Sequence, residues 1–230
     1  GIHAGEPCGI DASMMLARDL LQRKSELLDS TVVIIVPVYN IGGVLNRGGY
    51  SRANQNGPSA YGFRGNAKNL DLNRDFIKQD SDNAKSFNRL FTKWDPDVFM
   101  DNHTSNGADY QYVITLIATQ KDKLEANLSR FMTNTMLPEL YSSMESKDYE
   151  MTPYVFSRSS PDEGIAGFLD LPRYSSGYAA LHNTISFMPE THMFKDFEDR
   201  VKSTYLLMES MLEFIVKNKS DLLDVRRRAK

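Results

Sequence analysis

Asp97-Val-Phe-Met-Asp-Asn-His-Thr-Ser105 reads as a short buried strand, residues 97–101, that runs out onto a histidine. Open α/β sheets bind ligands beyond the carboxyl ends of their strands, so His103 stands where a functional side chain belongs. Asp101, two positions earlier, is placed to orient the second ring nitrogen. The strand has company on both sides. Thr31-Val-Val-Ile-Ile-Val-Pro-Val-Tyr39 is a continuous β-branched run, too apolar for a strand with one wet face, and predicts a central strand covered on both sides. Further strands are predicted at residues 110–118 and 185–188. Apolar residues at helical spacing, among them Met14, Ala17, Leu20 and Leu21, predict a helix over 11–28. Others follow at 83–94, at 120–145 with an interruption at Pro138, and at 196–223. Strands alternating with helices predict one α/β domain over residues 1–230, a mostly parallel or mixed sheet with helices on both faces.

Two irregular stretches interrupt this pattern. Residues 40–68 are rich in Gly, Asn, Ser and Arg, and residues 146–180 in Ser, Gly, Pro and Tyr. Long ordered loops inside a compact domain are usually functional, and apolar strands resume after each. A net charge of −3 gives no basic field for a nucleic-acid backbone, and the Arg226–Arg227–Arg228 run reads as a solvated helix end. The single cysteine, Cys8, cannot form an internal disulfide and leaves the redox compartment open. No apolar run is long enough for a membrane helix. Gly1 opens directly on a candidate ligand motif, which reads as an excised or processed boundary.

That motif is Gly1-Ile-His-Ala-Gly-Glu6, with an imidazole and a carboxylate three positions apart in a Gly-bearing turn. Zn²⁺ takes both groups, and a catalytic site needs a third protein ligand with one position left open. Of the four histidines, His103 is the best third ligand; His182 and His192 read as structural. Glu190 follows the strand 185–188 through Pro189, where a carboxylate facing a metal gains a role as base. Arg64 and Arg74 flank a polar segment, Arg64-Gly-Asn-Ala-Lys-Asn-Leu-Asp-Leu-Asn-Arg74. Guanidinium forks match carboxylates and stabilise oxyanions; the alternative for Arg74 is a salt bridge to Asp71 or Asp75.

In combination these features resemble the M14 family of zinc carboxypeptidases. His3-Ala-Gly-Glu6 is similar to the family's His-x-x-Glu pair and Asn102-His103 to its third ligand, which implies one Zn²⁺ ion held by His3, Glu6 and His103. Asp71-Leu-Asn-Arg74 is similar to the Asp-x-Asn-Arg element whose Asn and Arg hold the substrate's terminal carboxylate, here Asn73 and Arg74. Arg64 falls where relatives place the oxyanion arginine, and Ser186-Phe-Met-Pro-Glu190 resembles the strand bearing the catalytic glutamate. The family's mobile tyrosine lies upstream of that strand, where Tyr178 is preferred over Tyr174. The family also places strands before the His-x-x-Glu turn, so a sheet without its N-terminal strands is expected.

The resemblance implies hydrolysis of the C-terminal peptide bond of peptides by zinc-bound water with Glu190 as general base. The alternatives are an M14-like amidohydrolase acting on N-acyl amino acids or cell-wall peptides, and a non-catalytic peptide- or glycan-binding module. The expected partner is a peptide or N-acyl amino acid with a free carboxylate; no nucleic acid and no membrane span are expected. The family favours a secreted or periplasmic location. The loop around 170–183, expected to shape the specificity pocket, offers Asp170, Arg173 and His182 without deciding among them.

Overall fold

A computed structural model describes residues 1–157 and 159–230. Helix α1, Cys8–Gln22, buries Cys8, Ala12, Leu16 and Leu20 along one stripe, and a single turn at Ser25–Leu28 completes the expected 11–28 segment. Next comes the short helix α2, Ile41–Leu45, inside the first irregular stretch. Helix α3, Asp82–Trp94, starts on the Ser81 hydroxyl, which accepts from the Ala84 amide at 3.0 Å, and ends on Asp95 in the left-handed region.

Strands β1, Val98–Met100, β2, His103–Ser105, and β3, Ile114–Ala118, precede a long helical passage. That passage is α4, Ala126–Phe131, and α5, Leu137–Ser146, joined by a wide π turn at Met132–Met136. Pro138, lacking an amide hydrogen, enters in the first turn of α5, so the helix widens ahead of it rather than breaking. The second irregular stretch contains more order than its composition suggests: β4, Met151–Pro153, β5, Val155–Ser157, β6, Ile165–Gly167, and helix α6, Ser175–Ala180. Strand β7, Ile185–His192, helix α7, Phe197–Lys217, and helix α8, Lys219–Ala229, complete the described chain. None of the described helices is long and apolar enough to cross a membrane.

Strand β7 is the axis of the sheet. It pairs in parallel with β1 and β2 on one side and antiparallel with β3 on the other, and β4 continues beyond β3. Ile185 and Phe187 face a core of Leu128, Met132, Met136, Leu207 and Phe214 from α4, the π turn after it and α7. Opposite, Phe99 meets Phe87 and Phe91 of α3 and Tyr178 of α6. The sheet is therefore covered by helices on both faces, as expected.

Two sequence expectations about strands need correction. β7 extends to His192 instead of stopping at Met188, although Pro189 lies inside it. The His192 amide donates to Val113 beside β3, and alternation turns the odd-numbered amides toward β1 and β2. The donor that Pro189 lacks thus falls at Asp101–Asn102, where β1 has ended and β2 has not begun. Residues 31–39 are the second case: they form no ladder. Val32, Ile34 and Val36 are 76%, 43% and 45% exposed, and a cavity of about 570 Å³ separates this segment from β1. A β-branched run favours extended backbone, but pairing needs an adjacent edge, and none of the described segments supplies one.

Arg226 also departs from its expected solvated role. It is 2% exposed and donates to Asp95, to the Pro96 and His182 carbonyls and to Thr184, tying α8 to the end of α3. Truncating the fully buried ring at the sheet axis tests the core: Phe187→Ala is expected to cost about 3–5 kcal/mol of unfolding free energy in a urea titration. A loss under about 1 kcal/mol would show that the described packing is not the stabilising core.

Candidate metal centre

The turn before α1 and the exit of β1 bring three ligands together. The Glu6 amide donates to the His3 carbonyl at 2.9 Å, which turns both side chains to one side. Gly62 presses against this turn, its amide donating to the Ala4 carbonyl at 2.9 Å; a Cβ there would lie 2.6 Å from that of Ala4. Glu6 sits between two imidazoles, Oε1 at 3.0 Å from His3 Nδ1 and Oε2 at 3.0 Å from His103 Nδ1. All three residues are buried, and their ligand atoms lie within 4.8 Å of one another.

The outer nitrogens are backed by carboxylates. His3 Nε2 is 3.0 Å from Asp71 Oδ1 and His103 Nε2 is 3.0 Å from Asp101 Oδ2. Such partners fix the tautomer and ring orientation of metal-binding histidines, leaving both Nδ1 atoms directed inward. Ligands about 2.0–2.2 Å from a tetrahedral zinc ion stand roughly 3.3 Å apart, so this donor set fits zinc with little movement.

Arg52, which the sequence reading passed over, completes the support. Its Nη1 donates to Glu6 Oε1 at 3.0 Å, Nη2 to the Thr104 carbonyl at 2.8 Å, and Nε to Gln55 at 2.8 Å. The Thr104 amide donates to Glu6 Oε2 at 2.8 Å. Burial alone would raise the Glu6 pKa, but His3, His103 and Arg52 hold it well below the usual range. For His103 burial acts downward, and Asp101 and Glu6 outweigh it, raising the imidazole well above its ordinary value.

Glu190 stands beside this cluster because β2 and β7 pair in register, His103 next to Glu190. Its carboxylate has no hydrogen-bond or ion-pair partner among the described residues, and its side chain keeps only part of its surface exposed. Dense surrounding protein pushes its pKa up to about 7, with His103 opposing and Glu6 adding to the rise. Tyr154, also missed in the sequence, lies beside Ser105 on this side of the sheet, within electrostatic reach of Glu190.

The remaining predicted residues divide. Arg64 forks onto Asp71 Oδ2 through Nε at 3.1 Å and Nη2 at 2.9 Å, while Nη1 reaches to 3.3 Å from His3 Nδ1. Asn73 is buried, and its Oδ1 has no partner among the described residues. Arg74 forms neither salt bridge weighed for it: Asp71 serves His3 and Arg64, and Asp75 accepts from the Asp80 and Ser81 amides. Instead its guanidinium lies over the Tyr174 ring, 4.7 Å from the centroid. Tyr178 lies away from this group, 3% exposed among Phe76, Phe87 and Phe91, with its hydroxyl donating to Asn88. The 570 Å³ cavity is apolar and lies behind β1, so chemistry rather than cavity size locates the site.

Fold and site together define a class: an α/β protein with a buried His–Glu–His cluster of metal-ligating type at the carboxyl edge of a mixed sheet. The chain belongs to the zinc carboxypeptidase family, peptidase family M14, whose sequence model matches residues 1–203. Carboxypeptidase 2 of Trichophyton tonsurans is 23% identical over 239 residues, covering 95% of this chain and 41% of that protein. Probable carboxypeptidase 2 of Arthroderma benhamiae is 28% identical over 106 residues, 45% of this chain and 17% of that protein. The chain thus spans less than half the length of these curated relatives. A metallo-carboxypeptidase from Pseudomonas aeruginosa in complex with (2-guanidinoethylmercapto)succinic acid shares the fold. Its TM-score is 0.67 at 16% identity, over 96% of this chain and 56% of that one. The cell shape determinant protein Csd4 from Helicobacter pylori gives 0.56 at 18% identity, over 93% and 49%.

Metal uptake should be pH-dependent. His103 holds a proton at neutral pH in the metal-free protein because its pKa is raised, and a ligand imidazole must be neutral, so binding expels that proton. Zinc affinity, measured by competition with a chromogenic chelator, is expected to fall about tenfold per pH unit between pH 8 and 6. Affinity independent of pH in this window would show that His103 carries no proton to expel.

Proposed function

We propose that this chain carries the catalytic apparatus of a zinc-dependent metallocarboxypeptidase that hydrolyses the C-terminal peptide bond of its substrate. The observation that carries the reading is Glu190: an unpartnered carboxylate, held near neutrality, in register with His103 of a three-ligand centre. Zinc held by His3, Glu6 and His103 would polarise the scissile carbonyl and acidify a water molecule. A carboxylate with a pKa near 7 suits both halves of the proton transfer, taking the proton during attack and returning it to the leaving amine.

Arg64, anchored on Asp71 with Nη1 directed at the centre, stabilises the oxyanion that develops on the carbonyl. Arg74, without an acidic partner among the described residues, and Asn73, through the donors of its amide nitrogen, hold the substrate's terminal carboxylate. Tyr174 supports Arg74 in this arrangement. Tyr178, the tyrosine preferred from sequence, is committed to the core and takes no part.

Glu190→Gln is expected to retain one zinc per chain by elemental analysis and to lower kcat by about 10²–10⁴-fold. Full activity in this variant with zinc still bound would remove Glu190 as base. Amidating the C-terminus of a peptide substrate is expected to abolish most of its turnover. If amidated and free peptides were cleaved at equal rates, the clamp assignment would fall; preferential cleavage of N-acyl amino acids or muropeptides would assign the apparatus to an amidohydrolase instead.

A further inference from the structure

Asp170 and Arg173 in the loop leading into α6, and His182 just beyond that helix, are three candidates for reading the substrate's side chain, and the structure separates them. Asp170 is fully buried, and its carboxylate accepts from Lys123 Nζ at 2.7 Å, so its charge is already neutralised. His182 lies against the Phe91 and Tyr178 rings, with centroids 5.2 and 5.0 Å away, on the α3 face of the sheet. Arg173 alone is exposed and has no acidic partner among the described residues. Its Nη2 donates to the Tyr174 hydroxyl at 2.9 Å, and its guanidinium lies 4.9 Å from the Tyr174 centroid.

Arg74 lies 4.7 Å from the same centroid. One buried tyrosine ring therefore holds two guanidinium groups, neither with a carboxylate partner among the described residues. Like charges gathered on one ring repel, and cation–π contact offsets only part of that; an anion between or beside them removes the penalty. The ring is fixed in place. Tyr174 packs on Ile117 and Met188, and Met188 shares a face of β7 with Glu190, about 7 Å away at two residues of strand rise. The ring that gathers both cations thus packs on the same face of β7 as Glu190.

We propose that Arg173 is a specificity-determining residue and that the site prefers substrates whose C-terminal residue carries a second carboxylate, glutamate or aspartate. This rests on the carboxypeptidase reading, in which Arg74 takes the α-carboxylate; Arg173 then takes the side-chain carboxylate.

The test uses the zinc-loaded chain and four peptides identical except for a C-terminal Glu, Gln, Leu or Lys. The Glu peptide is expected to exceed the Gln peptide in kcat/KM by about tenfold to hundredfold, the range of a charge-assisted contact. Arg173→Gln should collapse that ratio, Arg173→Lys should restore part of it, and Arg173→Glu should move the preference toward Lys. Equal rates for Glu and Gln, or a ratio unchanged in Arg173→Gln, would overturn the assignment. Calorimetric titration with free glutamate and free glutamine provides a readout independent of turnover. If no peptide is cleaved, the exopeptidase reading fails, while tighter glutamate binding that is lost in Arg173→Gln still supports the dicarboxylate site. Equal binding of the two amino acids would remove it.

Discussion

Everything chemical in this molecule depends on one carboxylate held between two imidazoles. Glu6 is taken out of water, which costs several kcal/mol for an unpaired charge, and four donors converge to make it tolerable: His3, His103, Arg52 and the Thr104 amide. These donors come from the N-terminal turn, the first irregular stretch and β2, so the charge joins segments distant in sequence. Removing any one leaves a buried anion short of partners. A divalent cation held by the same three residues would satisfy that carboxylate more completely.

The outer carboxylates divide the work by environment. Asp101 is enclosed and serves His103, whereas Asp71 is partly exposed and is shared between His3 and Arg64. Burial opposes ionisation of Asp71, but His3 and Arg64 outweigh it and hold its pKa well below the usual range. That shared carboxylate couples the orientation of the His3 imidazole to that of the Arg64 guanidinium. Glu190, with no such partner, is left as the one carboxylate of the centre whose pKa is near neutrality.

Much of this was legible in the sequence, for local reasons. His3 and Glu6 announce themselves by spacing within a turn, and His103 and Glu190 by standing at or beyond apolar strand-like runs. Arg52 carried no such signal, because its partners are fixed by the fold of an aperiodic loop. Residues 31–39 were misread because composition reports a preference for extended backbone but not the presence of a neighbouring edge. Tyr178 was favoured by its position upstream of β7, yet α6 turns it into an aromatic cluster that no linear pattern reveals. Pro189 misled in the other direction, marking a strand end where the strand in fact continues.

That proline also acts as an alignment key for the sheet. Its missing donor is harmless only opposite the break between β1 and β2. Sliding β7 by one residue would set the ring against an acceptor that needs a partner, and would turn Glu190 into the apolar helix-covered face. Misregistered pairings therefore carry two penalties at once, and the register that minimises them is the one that sets Glu190 beside His103. The same proline therefore favours both the native register and the placement of the Glu190 carboxylate beside the His–Glu–His cluster.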